Sequence, residues 1–311
     1  MHRLLIALLF FPFTHAQASS EAVKPRELVH PYPATGPVEI AGTVAVNKVL
    51  RTMQRYAMPA FTDVLALHVA QTLQGESDDP VRVTRRPRQD GNEAVAAVSS
   101  AAADGRTLLL ASGMAAASSA RTRSYARADR ALQPVALVAS MPYVLIASGE
   151  SSLESVGAVI REARAARDRI LIASAGERSA GHLAMQLLRS RYGLPLEPVA
   201  YNGGTAALQA VATKQVSTAL VPLPAVLPYL GNARVKVLAT AAPRRHPSIP
   251  HVETTAEAGL TDFEAVDLFG VFAPARTPPS VIRELNVMLA RSPQSEPTRQ
   301  FFSELGLRLE H

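Results

Sequence analysis

The chain has 311 residues, 48% of them hydrophobic, with no cysteine, no tryptophan, 5% aromatic residues and a net charge of +6. That length suits two domains of ordinary size. The lack of cysteine excludes disulfides, thiolate metal sites and cysteine nucleophiles, and the few aromatic rings disfavour sugar clefts and cages for quaternary ammonium groups. The basic residues are scattered rather than gathered in a run, which argues against a nucleic-acid partner and for a field that draws in anions.

Met1, His2 and Arg3 make a short positive start, followed by an apolar run over residues 4–13 and by Ala16-Gln17-Ala18. That order predicts a secretory signal peptide over residues 1–18, because the apolar run is too short to span a bilayer. No cysteine follows the cleavage signature, so no lipid anchor is expected, and the product is expected in the periplasm or the medium. Residues 19–36 hold Pro25, Pro31, Pro33 and Gly36 among charged residues and read as a leader or linker.

From residue 37 onward short β-branched runs alternate with helical patterns. Strands are predicted over 38–41, 81–84, 107–111, 135–138 and 143–147, then over 170–173, 197–201, 218–221, 235–240 and 270–273. Helices are predicted over 63–73, where Val64, Leu65, Val69 and Leu73 share a face, and over 93–103, with Asn92 as a candidate cap. Ser151 with Glu154 and Thr254 with Glu257 read as capping boxes. Thr277 with Pro278 opens a final helix over 281–291. The alternation implies an α/β fold with largely parallel sheets, and two strand clusters joined near residues 140–150 imply two lobes.

Chemistry is sparse. No glycine-rich phosphate loop, nucleophile elbow or zinc-binding motif occurs, and the histidines left after processing have no metal-pair spacing. No cofactor, metal site or catalytic residue is therefore expected. His68 on its helix reads as structural. Three small-residue turns stand out, at residues 57–63, 173–182 and 201–205, each placed to open a helix. A helix N-terminus offers unpaired N–H groups and a partial positive charge, and small side chains let an anion approach them. Ligands of open α/β sheets lie beyond the carboxyl ends of the strands. Turns of this kind on facing lobes would grip a carboxylate without a side-chain cation.

Several stretches together resemble a known family. They are Thr62-Asp63-Val64-Leu65-Ala66, Arg86-Pro87 with Gly91-Asn92, and Asp104-Gly105-Arg106-Thr107-Leu108. Further on come Ala173-Ser174-Ala175-Gly176 with His182-Leu183-Ala184, and Pro198-Val199-Ala200-Tyr201-Asn202-Gly203-Gly204. Ala256-Glu257-Ala258-Gly259-Leu260 and Ala273-Pro274-Ala275-Arg276-Thr277-Pro278 complete the series. In order and spacing the chain resembles the Bug-type periplasmic binding proteins that serve tripartite tricarboxylate transporters.

The resemblance implies a two-lobed type II periplasmic binding protein fold. Lobe 1 would hold residues 37–143 and 240–311, and lobe 2 residues 144–239. The ligand would be a di- or tricarboxylate, an amino acid or an aromatic acid, captured without turnover and handed to membrane permease subunits. Tyr56 would wall the pocket. Thr62, Asp63, Ser112, Ser174, Ser179 and Thr205 would supply polar contacts, and Gly176, Gly203 and Gly204 backbone access. His182 and Tyr201 belong to the same loops, and Asp63 also reads as a helix cap.

The chain departs from the family pattern at Pro59-Ala60, where two glycines are usual, and at Glu177-Arg178, where Asn and Gly are usual. Ser217, Pro222 and Leu268-Phe269 also depart. Proline removes a possible N–H donor. Arg178 either clamps a carboxylate or lies on the rim. The residues leave other readings open: a divergent paralogue with an altered pocket, a sensing protein whose closed form touches a sensor kinase, and a hydrolase pairing Ser179 with His182.

Overall fold

The computed structural model describes residues 26–30, 61–75, 81–86, 92–112, 132–166, 170–177, 179–231, 233–291 and 295–310. The expected signal peptide, the strand at 38–41 and the Pro59-Ala60 departure lie outside them.

Two sets of parallel strands flank a crossing. In the first, β1 (Arg26–His30) lies between β2 (Val81–Arg85) and β3 (Thr107–Ser112), parallel to both. In the second, β5 (Ile170–Ser174) lies between β6 (Leu196–Ala200) and β7 (Thr218–Pro222), again parallel. The strands that join the sets run antiparallel, so the sheet is mixed. β4 (Leu132–Ser148) pairs over its first part with β9 (Val266–Pro274), and over its second with β7 and β8 (Val235–Thr240). The sequence pattern breaks this strand in two, because Pro142 interrupts the run. In the structure Pro142 and Tyr143 are where the strand changes partners.

At that point three segments of the chain are tied together. The N–H of Tyr143 donates to Ala265 O (2.9 Å), that of Ala241 to Tyr143 O (2.8 Å), and that of Ala265 to Ala241 O (2.7 Å).

Helices cover the strands. α1 (Phe61–Gly75) buries Val64, Leu65, Val69 and Leu73, the predicted face, and packs against β2 and α7 (Pro279–Ala290). The expected α1 starts two residues late. Asp63 therefore sits within its first turn, where its charge suits the helix dipole, and does not precede the helix as a cap. α2 (Asn92–Ser99) stops short of the predicted 103. α3 (Val156–Ala165) is capped by Ser155, which accepts the Ala158 N–H. The proposed capping box fails because Ser151 Oγ accepts from Leu153 N instead and Glu154 pairs with Lys236. Thr254 and Glu257 do exchange both capping-box bonds (2.7 and 3.1 Å), but around a turn that never becomes a helix.

A further helix, α8 (Glu296–Glu304), and a two-residue strand, β10 (Arg308–Leu309), follow the helix expected to be last. His68 is structural as expected, edge-on to Phe302 of α8 with ring centroids 5.0 Å apart.

The leader reading of residues 19–36 is corrected at its centre. Arg26–His30 is an interior strand, and Leu28 and Val29 on its two faces are 0% and 1% exposed. Prolines at 25, 31 and 33 conceal it, since five residues between breakers show no period. Leu28→Ala is expected to destabilise the protein by about 2–5 kcal/mol in urea unfolding, whereas a linker residue would cost nothing measurable.

Candidate functional site

The parallel strands of both sets end at one place. β3 ends at Ser112, β5 at Ser174, β6 at Ala200 and β7 at Pro222, whose register partner on β4 is Tyr143. β9 runs the other way, so its first residues, Val266 and Asp267, lie at this same edge beside Pro142 and Met141. Carboxyl edges of parallel strands are where open α/β sheets bind ligands, and here two such edges meet at the crossing.

α4 (Ala180–Tyr192) opens beyond β5. Its cap is Ser179, whose Oγ donates to Gly176 O (2.7 Å) and accepts the His182 N–H (3.1 Å). The Tyr143 hydroxyl reaches Ser179 and the N–H groups of Ala180 and Gly181. Its ring abuts Gly181, where a Cβ would fall 2.6 Å from Tyr143 Cδ1 and 2.9 Å from Leu220 O. Only glycine fits there. Burial, reinforced by the charge of Asp267, holds the Tyr143 phenol well above its usual pKa, so Tyr143 stays a neutral hydroxyl. The N-terminus of α4 is thus largely filled by the protein's own groups.

Ser174 and His182, expected among the ligand contacts, face each other beneath this loop. Ser174 is 0% exposed, and its Oγ meets His182 Nδ1 at 2.8 Å and donates to Val199 O at 3.3 Å. Burial turns both inward, where they brace the loop between β5 and α4. The same geometry dismantles the hydrolase pair, because the Ser179 hydroxyl is bound to backbone and His182 Nδ1 to Ser174.

α5 (Gly204–Ala212) opens differently. Gly203, at φ 93°, is its N-cap and offers no side-chain bond to the helix. Thr205 in the first turn is exposed. The first N–H groups of α5 therefore have no side-chain cap, as an anion seat requires. Gly204 abuts Pro222, with a Cβ position 2.9 Å from Pro222 Cδ, so this end of α5 borders the strand end that pairs with Tyr143. Tyr201 is half-buried and its N–H donates to Ser174 O (3.0 Å). Gly176, at φ 128°, has only Tyr201 O near its Cβ position, at 3.7 Å.

On the facing edge Thr62 and Asp63 are buried in the first turn of α1, at 2% and 3% exposure, and Thr62 Oγ1 has no hydrogen-bond partner among the described residues. Ser112 is buried and bonds to Asp267. Tyr56 and Arg178 lie outside the described residues.

Sequence reasoning missed Asp267 and Tyr143, which occupy the centre of this edge. Burial raises the Asp267 carboxyl to about 6, although the Ser112 hydroxyl and the Leu268 N–H both bond to it and pull it down. One signal was available, a single acid opening the apolar run Val266-Asp267-Leu268-Phe269.

Two parallel strand sets joined by crossing strands, with loops from both converging on the crossing, define a two-lobed α/β binding protein of the type II periplasmic class. The chain belongs to the tripartite tricarboxylate transporter family receptors, the Bug-type solute-binding proteins, whose family pattern matches residues 65–308. It is 30% identical to Protein BugT of Bordetella pertussis over 248 residues, 79% of this chain and 76% of that one. It is 29% identical over the same length to a protein encoded between tcbD and tcbE in Pseudomonas sp. strain P51, covering 79% and 74% of the two chains.

Among solved structures it resembles MatC of Rhodopseudomonas palustris with bound malate (TM-score 0.66, 25% identity, 93% of this chain and 90% of that one). It also resembles Rpa4515 of R. palustris with adipate (TM-score 0.67, 27% identity, 92% and 88%). The fold is shared with a TctC solute-binding protein from Polaromonas (TM-score 0.69, 16% identity, 94% and 91%). The family is one of periplasmic receptors, not of enzymes.

Proposed function

We propose that the protein captures a small carboxylate between its two lobes in the periplasm and presents it to the membrane permease subunits of a tripartite tricarboxylate transporter. The observation that carries this reading is the uncapped N-terminus of α5 at the meeting of the carboxyl edges. Among the described residues the serine–histidine pair nearest to it, Ser174 and His182, is buried beneath the loop, and the backbone donors of α5 suit capture of an anion. The malate and adipate held by two similar structures support a ligand of the same class.

In this reading Thr205, Gly203 and Gly204 receive a carboxylate, and Tyr143, with Ser179 behind it, walls the seat. The lobes are residues 144–239 on one side and the remainder on the other, with the break at Tyr143. Closure brings the edge of Ser112 toward α5. Residues 1–18 act as the export signal.

A thermal-shift screen of residues 19–311 against di- and tricarboxylates, amino acids and aromatic acids tests this. A ligand at about 100 times its Kd adds roughly 2.7 kcal/mol to the folded state, which moves the midpoint by several degrees. Thr205→Glu places a carboxylate at the exposed first turn of α5, where the unliganded fold tolerates it. It is expected to weaken the shift at least tenfold in ligand concentration. No shift from any acid overturns the proposal.

A further inference from the structure

Asp267 is the acid that nothing in the capture of a simple carboxylate uses. A site built for anions gains nothing from a carboxylate at its floor, since like charges repel. Yet Asp267 stands at the crossing, bonded to Ser112, paired in register with Met141 of β4 and close enough for its charge to act on the Tyr143 phenol. Its Oδ1 is buried and has no hydrogen-bond partner among the described residues. The groups that do bond to its carboxyl, the Ser112 hydroxyl and the Leu268 N–H, are both neutral, and no cation among the described residues pairs with it. Buried carboxylate oxygens are normally hydrogen-bonded or paired, and Oδ1 is an open acceptor.

Resting on the capture reading above, we propose that Asp267 reads a cationic nitrogen of the ligand, so that the substrate class is an α-amino acid rather than a plain dicarboxylate. The ligand carboxylate lies at the N-terminus of α5 and its ammonium at Asp267 Oδ1. The two groups lie at the same strand edge: Gly204 abuts Pro222, Pro222 is the register partner of Tyr143 on β4, and Asp267 is the register partner of Met141, two residues before Tyr143 on that strand. A ligand hydroxyl would add a third neutral donor and leave the charge uncompensated. An ammonium supplies both the missing hydrogen bond and the opposite charge. The raised carboxyl of Asp267 is consistent with this, because two neutral donors do not offset its burial.

The test is isothermal titration at pH 7.5 with matched pairs that differ only in the amino group: L-aspartate and succinate, L-glutamate and glutarate, L-leucine and 4-methylpentanoate, L-phenylalanine and 3-phenylpropanoate. The wild type is expected to bind one amino acid at least 100-fold more tightly than its partner acid. Asp267→Asn is expected to remove that preference, weakening the amino acid at least 30-fold while leaving the partner acid equal or tighter. The melting curve of the variant confirms its fold. If succinate, glutarate or L-malate binds as tightly as any amino acid and Asp267→Asn leaves it so, the ammonium assignment is wrong while carboxylate capture stands. If no acid of either kind binds, both fail.

Discussion

Replacing Asp267 by Asn raises the melting temperature at pH 7 and leaves it unchanged below pH 4. The carboxyl titrates near its ordinary value of 3.8 in the unfolded chain and at about 6 in the fold, chiefly because it is buried. A group whose folded pKa is raised favours the fold while it is protonated in both states. That advantage is lost as pH rises through the folded value. Above pH 6 the folded protein therefore carries an ionised carboxylate that water would hold more cheaply. The gap is about two pH units at about 1.4 kcal/mol each, so on the order of 3 kcal/mol separates the variant from the wild type at neutral pH. For a chain of this size that is a difference of several degrees, readable by scanning calorimetry from pH 4 to 8. An unchanged melting temperature at pH 7 would mean that Asp267 is solvated or already paired. Such a residue, kept at a cost to stability, is what a binding site is expected to contain.

The second large effect runs the opposite way. His246 is 3% exposed, and burial, with a smaller contribution from the charge of Arg308, lowers its imidazole to about 4, against the pull of the nearby Leu307 backbone. It is neutral in the fold, while the unfolded chain takes up a proton near 6.5. Its contribution is therefore fully present above pH 6.5 and is lost as pH falls toward 4, again on the order of 3 kcal/mol.

The region affected is the C-terminal segment. The Ser248 N–H donates to His246 Nδ1 (3.3 Å), the Ser248 hydroxyl to Ser303 O (2.6 Å), and Gly306 abuts Pro224. His246→Asn keeps an acceptor for Ser248 and removes the titration. Between pH 4 and 6 the two buried groups offset each other in the wild type, whose melting temperature should change little there. In Asp267→Asn it should climb with pH, and in His246→Asn it should fall. Parallel slopes in all three proteins would show that neither group controls acid stability.

The sequence made the alternation of strands and helices legible because each β-branched run is flanked by turn residues, and α1 announces itself by the spacing of Val64, Leu65, Val69 and Leu73. Two kinds of feature stayed hidden. β1 is too short and too closely bracketed by prolines to carry a period, and its place between β2 and β3 is decided by tertiary pairing alone. The continuity of β4 through Pro142 is likewise a matter of partners, since the strand leaves β9 for β7 and β8 at the residue that looks like a breaker.

The candidate site divides in the same way. Its loops stood out because helix starts rich in small residues leave a local mark, as at Gly203-Gly204-Thr205. Which of those loops remains open was not readable. α4 and α5 look equally suited in sequence, but Tyr143, distant in the chain, fills the first, and Ser174 and His182 turn inward to brace it. Asp267 meets Ser112 and comes near Tyr143 only through the antiparallel course of β9, which no local pattern encodes.

The most direct measurement is a crystal structure of residues 19–311 with the tightest acid of the screen bound. The account predicts a closed form with the ligand carboxylate on the first N–H groups of α5, between Thr205 and the edge formed by Ser112, Asp267 and Tyr143. A ligand seated away from that meeting of strand ends would contradict it.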